Sequence, residues 1–500
     1  MRTGKVQGVQ GWKGSVMALL AGAILPLAFA PFYCYPLAIV SLIFLFTSWQ
    51  QVSPGQAAWR GWLFGLGLFG VGVSWIYVAI HVFGQSGMIL ASLLTFLFVA
   101  FLALYLAVFG WLVKKLAPGS FSLADLMLLL PILWLGFELF KAWFLSGFPW
   151  LELGVSQIEG PLAGYVPLIG VNGVSALVAL TASLLLYAWQ KKSWSRLLPV
   201  VLLWGSGWLL NTVNWTQPTG SPIKTTIVQG NVPQQIKWDP EQLVNTLVLY
   251  QKMTETYWDS DLVVWPENAL PAFYHQLKTF YLDPLGQQAR EHHTDILLGL
   301  PVQDDDGHAY YNSMMLVGEK QGFYHKRHLV PFGDYVPFEW LRGLIAFFDL
   351  PMSAFVAGPV KQPLLEAAGQ KVGISICYED VFSTEVLQTL PEATVLVNAT
   401  NNAWYGDSFA PHQHLQISRS RALETGRPLV RATTNGISAF VDFKGRVMAQ
   451  TPQFEQVATT QLIQPRNGET PYISGYRWPI WLLSVFMLLL WAYHRRKNSD

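Results

Sequence analysis

Lys371-Val-Gly-Ile-Ser-Ile-Cys-Tyr-Glu-Asp380 is the stretch on which the reading of this chain turns. Val372, Ile374 and Ile376 alternate with Gly373 and Ser375, the two-residue period of a strand with one face buried. The strand ends on Cys377, after which Tyr378, Glu379 and Asp380 turn the chain into a helical stretch over residues 381–390. A thiol at a strand end, followed by a helix, stands where α/β enzymes place a nucleophile. A lone cysteine equally fills a core as a small hydrophobe. The surrounding sequence has to decide between the two.

Outward from this stretch the pattern repeats. Strands are predicted at 225–229, 262–265, 296–300, 313–317, 372–376, 394–398, 429–433 and 437–442. Helices are predicted at 242–257, 284–293, 383–390 and 413–426. Such alternation over about 260 residues makes one α/β domain with its own core, assigned to residues 214–476. A polar linker over 211–221 precedes it.

The first 213 residues read differently. The chain is 52% hydrophobic and only 13% charged, with a mean hydropathy of +0.31, more apolar than an ordinary soluble domain. Apolar runs near the ~20 residues needed to span a bilayer predict helices at 14–31, 35–50, 58–80, 88–113, 122–144, 164–189 and 195–213. An eighth is predicted at 478–493. The expected fold class is therefore a polytopic helical membrane bundle of about eight spans with an appended α/β domain. Its parts are residues 1–213, 214–476, and 477–500 as a last helix with its tail. Ala28-Phe29-Ala30 mimics a signal-peptidase site, but Pro31 follows it directly, so the first helix is read as retained.

Basic residues set an orientation. Arg2, Lys5 and Lys13 precede the first predicted helix, and Arg60 flanks the third. Lys114 and Lys115 separate the fourth from the fifth, and Lys191, Lys192 and Arg196 the sixth from the seventh. Arg495, Arg496 and Lys497 end the chain. The intervening connections at 31–36, 81–87 and 145–167 carry no Lys or Arg. Positive charge marks every second loop, which places both termini in the cytoplasm and residues 214–476 outside.

Several classes of function fall away. A net charge of +1 gives no reason to expect nucleic-acid binding. Two cysteines, Cys34 and Cys377, make no disulfide framework, and a bridge between them would consume the thiol. No metal spacing is present, no cofactor is expected, and His412 and His414 are read as lying on a solvated helix face. Glu138 and Lys141, three apart on one predicted membrane helix, form either a structural pair or a site for a lipid head group. Asp125 is read as interfacial.

Three pieces of the α/β domain carry chemistry. One is Trp265-Pro266-Glu267-Asn268, a carboxylate just past a strand. Another is Tyr324-His-Lys326-Arg-His-Leu-Val-Pro-Phe-Gly-Asp334. The third is the Cys377 stretch. Taken singly, Glu267 or Lys326 reads as a solvated charge. A carboxylate, an ammonium and a thiol, each beside a strand of one domain, form a catalytic constellation.

Glu267, Lys326 and Cys377, in that order and those contexts, resemble the Glu-Lys-Cys triad of the nitrilase superfamily. The resemblance is closer to the apolipoprotein N-acyltransferase family, its membrane-integrated branch. Val228-Gln-Gly-Asn231, Lys237-Trp238-Asp239-Pro240, the run from Lys326 through Pro337, Ile376-Cys-Tyr-Glu379 and Arg421-Ala-Leu-Glu-Thr-Gly-Arg427 all carry it. The resemblance implies an external nitrilase-like α-β-β-α sandwich in a bacterial inner membrane protein. It implies Cys377 as nucleophile, Glu267 as base, and Lys326 with the Tyr378 backbone N–H as oxyanion donors. Asp334 and Glu379 would orient Lys326; Asp334 stands where the family usually has Glu. A phospholipid would donate its acyl chain to Cys377 as a thioester. The diacylglyceryl cysteine at the N-terminus of an apolipoprotein would then accept it. Trp238, Trp404 and Tyr405 are candidate walls for acyl chains, and the apolar segment 341–355 is a candidate membrane-dipping arm. The alternatives are a membrane-tethered amidase or nitrilase that uses water, and a lipid-binding protein without catalysis.

Overall fold

The computed structural model describes residues 9, 11–304, 306–307, 309–336, 355–475 and 478–497. It divides into two units, one of residues 1–77, 87–213 and 474–500, the other of residues 78–86 and 214–473.

The first unit is helical. Its helices include Gly11–Ile24, Pro36–Ser48, Pro54–Gly72, Met88–Leu116, Leu130–Lys141, Val166–Lys191, Leu198–Leu210 and Trp478–Lys497. Among the described residues, three stretches are long and apolar enough to cross a membrane: Gly11–Ala28, Met88–Leu116 and Pro161–Lys191. A fourth is added where Pro54–Gly72 and Ile76–Phe83 count as one span. That pair is bent by 61°, where the sequence predicted an unbroken helix over 58–80.

Small residues let these helices approach closely. A Cβ at Gly61 would lie 2.2 Å from the Leu106 carbonyl oxygen, and one at Gly65 would lie 2.6 Å from the Ala103 Cα. Glu138 and Lys141 hold backbone. Glu138 Oε1 accepts from Trp134 Nε1 and from Leu153 N, both at 2.9 Å, and Lys141 Nζ donates to the Trp150 carbonyl at 2.5 Å. Each ties the chain at 150–153 to this helix, which favours the structural role. Asp125 accepts from Ser122 and from Trp491 Nε1.

The second unit is a four-layer sandwich. Its strands are β1 (Gln217–Pro218), β2 (Ile223–Gln229), β3 (Leu262–Val264), β4 (Asp295–Gln303), β5 (Tyr310–Val317), β6 (Gly322–His325) and β7 (Leu365–Ala367). They continue as β8 (Gln370–Ile376), β9 (Val395–Thr400), β10 (Leu429–Thr433), β11 (Ala439–Val441), β12 (Val447–Gln450), β13 (Val457–Ile463) and β14 (Arg466–Asn467). One sheet runs β13-β2-β3-β4-β5-β6 and the other β12-β11-β10-β9-β8-β7, with β1 and β14 as a separate pair.

Alternation along the strands builds the core. Ile227, Val264, Leu297 and Met314 of the first sheet pack with Ile374, Ile376, Val397 and Val430 of the second. The opposite faces are covered by helices: Leu243–Glu255 and Asp283–Glu291 on the first sheet, Ser383–Leu387 and Phe409–Thr425 on the second. β8 and β9 are parallel, with Ser375 beside Asn398 and Ile376 beside Ala399.

Helix Phe409–Thr425 corrects one expectation. His414 is buried rather than solvated, and its Nε2 lies 2.7 Å from Asp380 Oδ1. The helix is enclosed along nearly its whole length, so its polar side chains find protein partners instead of water.

Candidate functional site

Three strand ends converge. β3 delivers Trp265-Pro266-Glu267 into a sharp turn, with Asn268 at φ +47°. β4 presses against this turn at Gly299, where a Cβ would lie 2.4 Å from the Pro266 carbonyl oxygen. Lys326 follows β6, and its backbone N–H donates to the Asn312 carbonyl at 2.8 Å. Cys377 follows β8 at φ +51°, which turns the chain out of the sheet and leaves the residue half-buried at the strand end. Cys34 and Cys377 are both free thiols.

Glu267 and Lys326 are joined directly. Lys326 Nζ lies 2.7 Å from Asp334 Oδ2 and 3.4 Å from Glu267 Oε1. Asn312 Nδ2 donates to Glu267 Oε1 at 2.7 Å, and the Asn401 backbone N–H donates to Oε2 at 2.8 Å. Both carboxylate oxygens are thereby fixed. Burial alone would lower the Lys326 ammonium, but Asp334, Glu267 and Cys377 outweigh it and hold the group well above its ordinary value. Lys326 is a permanent cation.

Burial and the negative charge of Glu267 push the Cys377 thiol up to about 12, against Lys326 and a hydrogen bond with Thr400. The Cys377 side chain therefore rests as a thiol and not as a standing thiolate, so any nucleophilic use of it calls for a base.

Glu379 does not touch the Lys326 ammonium. Its Oε1 accepts from the backbone N–H of Arg327 at 2.6 Å and of His328 at 3.2 Å, and its Oε2 accepts from Ile376 N at 2.6 Å and Tyr324 Oη at 3.0 Å. It clips the loop that carries Lys326 to the strand that carries Cys377. Burial raises the Glu379 carboxyl. The Tyr378 ring packs edge-on against Phe382, which stacks on His328.

Of the candidate acyl-chain walls, Trp404 and Tyr405 lie on the turn Asn402–Tyr405. The Trp404 ring meets Phe83 edge-on at 5.8 Å. The Tyr405 hydroxyl is raised by burial and, after that, by the charge of Cys377. Trp238 is half-buried. Residues 341–354 of the proposed arm lie outside the described residues. Phe355, at its end, donates from its backbone to the Asp334 carbonyl at 3.0 Å.

Sequence reasoning missed Lys237, Asn312 and Asn401. Lys237 is fully buried, and its Nζ donates to the Glu267 carbonyl at 3.3 Å. Burial brings it down to about 8, against the pull of Glu267. Its neighbour Trp238 belongs to the same sequence motif, Lys237-Trp238-Asp239-Pro240. Asn312 lies inside β5 but just before the strand predicted at 313–317, so its buried place was not legible.

A four-layer sandwich with a carboxylate, an ammonium and a thiol at adjoining strand ends is that of a carbon–nitrogen hydrolase domain. The carbon-nitrogen hydrolase family model matches residues 224–472, and the apolipoprotein N-acyltransferase N-terminal domain matches residues 21–184. An apolipoprotein N-acyltransferase of Methylococcus capsulatus is 46% identical over 98% of this chain and 97% of its own. One of Azotobacter vinelandii is 45% identical over 97% and 96%. Among solved structures, a CN-hydrolase superfamily protein of Xanthomonas campestris is 18% identical at a TM-score of 0.37, covering 53% of this chain and 97% of its own. The chain belongs to the apolipoprotein N-acyltransferase family, an acyltransferase family with a carbon–nitrogen hydrolase domain.

Proposed function

We propose that this chain moves an acyl chain from a phospholipid to the α-amino group of a diacylglyceryl-modified N-terminal cysteine through a thioester on Cys377. The observation that carries this reading is Lys326, held between Asp334 and Glu267 at 2.7 and 3.4 Å in the same site as Cys377.

Glu267 takes the proton of Cys377 as the sulfur adds to the ester carbonyl carbon. The oxygen becomes an oxyanion, stabilised by the Lys326 ammonium and the Tyr378 backbone N–H. The carbon–oxygen bond to the glycerol breaks, and the leaving alkoxide takes the proton back from Glu267. A lysophospholipid departs and the thioester remains. The acceptor amine then adds to the thioester, Glu267 receives its proton, and the carbon–sulfur bond breaks as that proton returns to sulfur. Asp334 and Glu379 hold Lys326 and its loop in place. Trp238, Trp404 and Tyr405 would guide the chains.

Both substrates are lipids, so the site has to reach a bilayer. The eight apolar stretches and the alternation of Lys and Arg between them support a multi-pass protein of the bacterial inner membrane, with both termini cytoplasmic and the catalytic unit outside. The test supplies radiolabelled phospholipids of several head groups together with an acceptor lipopeptide. Label on the acceptor amine supports transfer. Label released as free fatty acid shows a hydrolase, and retention in the phospholipid shows a binding protein.

A further inference from the structure

On the helix-covered side of the second sheet, a buried polar network reaches the nucleophile from behind. Asp380 accepts from His414 Nε2 at 2.7 Å, from the Ser418 hydroxyl, and from Arg431 Nη1 at 3.5 Å. Arg431 Nη1 donates to Ser418 Oγ at 2.8 Å and to Asn398 Oδ1 at 2.5 Å, and its Nη2 donates to Asn402 Oδ1 at 3.2 Å. Asn398 Nδ2 then donates to Ser375 Oγ at 3.1 Å and to the Cys377 carbonyl at 3.3 Å. Asp380, Ser418, Arg431 and Asn398 are fully buried and His414 nearly so.

The orientation of the Asn398 amide is dictated by its partners. A guanidinium only donates and a carbonyl only accepts, so Oδ1 must face Arg431 and Nδ2 must face Cys377. Burial holds His414 below its ordinary value, helped by Arg431, so the imidazole is neutral at neutral pH and the charged core of the network is Asp380 with Arg431. No step of the acyl transfer uses these groups.

The peptide between Cys377 and Tyr378 is trans, and in a trans peptide the C=O and N–H point in opposite directions. A clamp on the Cys377 carbonyl from inside the domain therefore aims the Tyr378 N–H the other way, away from the network. We propose that Asn398, held by Arg431, is a positioning residue that fixes the backbone half of the oxyanion site. This rests on the thioester reading above.

The test uses the full chain in detergent with Asn398→Leu, close in size but unable to donate, and the milder Asn398→Ser. Two reactions of Cys377 are compared. Acyl-enzyme formation from phospholipid develops an oxyanion, whereas alkylation by iodoacetamide displaces iodide at a saturated carbon and develops none. Loss of one oxyanion donor slows acyl transfer by roughly 100-fold or more, so Asn398→Leu should slow acyl-enzyme formation by at least about 30-fold. The half-saturating phospholipid concentration and the alkylation rate should stay within about twofold, and Asn398→Ser should fall between. Unchanged acyl-enzyme formation overturns the proposal. A parallel loss of both reactions in both variants also overturns it, because the network would then merely hold the fold. Labelling that survives Cys377→Ala would instead refute the thioester reading itself.

Discussion

One oxygen of Asp334 does two jobs: Oδ2 lies 2.7 Å from the Lys326 ammonium and accepts from the Val330 backbone N–H, also at 2.7 Å. The carboxylate that holds the cation also closes the turn that carries it. Its position is therefore set by local backbone, and the shorter Asp reaches Lys326 from there.

Asp334→Asn separates the two jobs. An amide oxygen can still accept from Val330, so the turn persists, while the charge facing Lys326 is lost. Acyl-enzyme formation should fall about tenfold or more, the ~1.4 kcal/mol or above of a lost charge-assisted contact. Asp334→Glu restores the charge with one more methylene in a loop and should keep most of the rate. Single-turnover labelling measures both, and a wild-type rate in the Asn variant would reduce Asp334 to a turn former.

Glu267→Gln should move two reactions of the same thiol in opposite directions. The Glu267 charge helps push Cys377 up to about 12, and Lys326 opposes it. Removing that charge lowers the thiol, so more thiolate is present at pH 8 and iodoacetamide alkylation speeds up. Acyl-enzyme formation is lost with the base. Slower alkylation in this variant would show that Glu267 does not oppose the thiolate.

Lys237→Met should lower activity without loss of stability. The Lys237 ammonium is buried with the Glu267 carbonyl as its hydrogen-bond acceptor, an arrangement that an apolar side chain of similar length often improves. The melting temperature should hold or rise. Without the contact that fixes the Glu267 backbone, acyl-enzyme formation should drop about fivefold or more, since small misplacements of a base are costly. Full activity in the Met variant would make Lys237 a bystander.

The charge pattern predicts a topology. Reporter fusions near residues 33, 84 and 300 should be active outside the cytoplasm, and fusions near 54, 117 and 193 inside. An inside signal at residue 300 would invert the orientation and separate the site from outer-leaflet substrates.

What the sequence disclosed followed from periodicity. β8 was readable because Val372, Ile374 and Ile376 meet the other sheet while Gly373 and Ser375 do not. Glu267 and Cys377 stood out because each follows a predicted strand, whereas β6, which precedes Lys326, was not predicted and Lys326 stood out through its motif. β13 was not, since Val457–Ile463 is largely half-buried and rich in Thr, without an apolar stripe. β7 has three residues, too few for a pattern. The bend after Gly72 carries no proline to announce it. His414 looked solvated because a buried polar residue is recognisable only by partners that fold in from elsewhere, and Asp380 lies 34 residues away in the chain.

The covalent intermediate tests the account most directly. The purified chain is incubated with phospholipid carrying a radiolabelled acyl group, the acceptor is withheld, and the labelled peptide is mapped. The account predicts a hydroxylamine-sensitive acyl group on Cys377, present in Cys34→Ala and absent in Cys377→Ala. Label on any other residue, or label that survives Cys377→Ala, would contradict it.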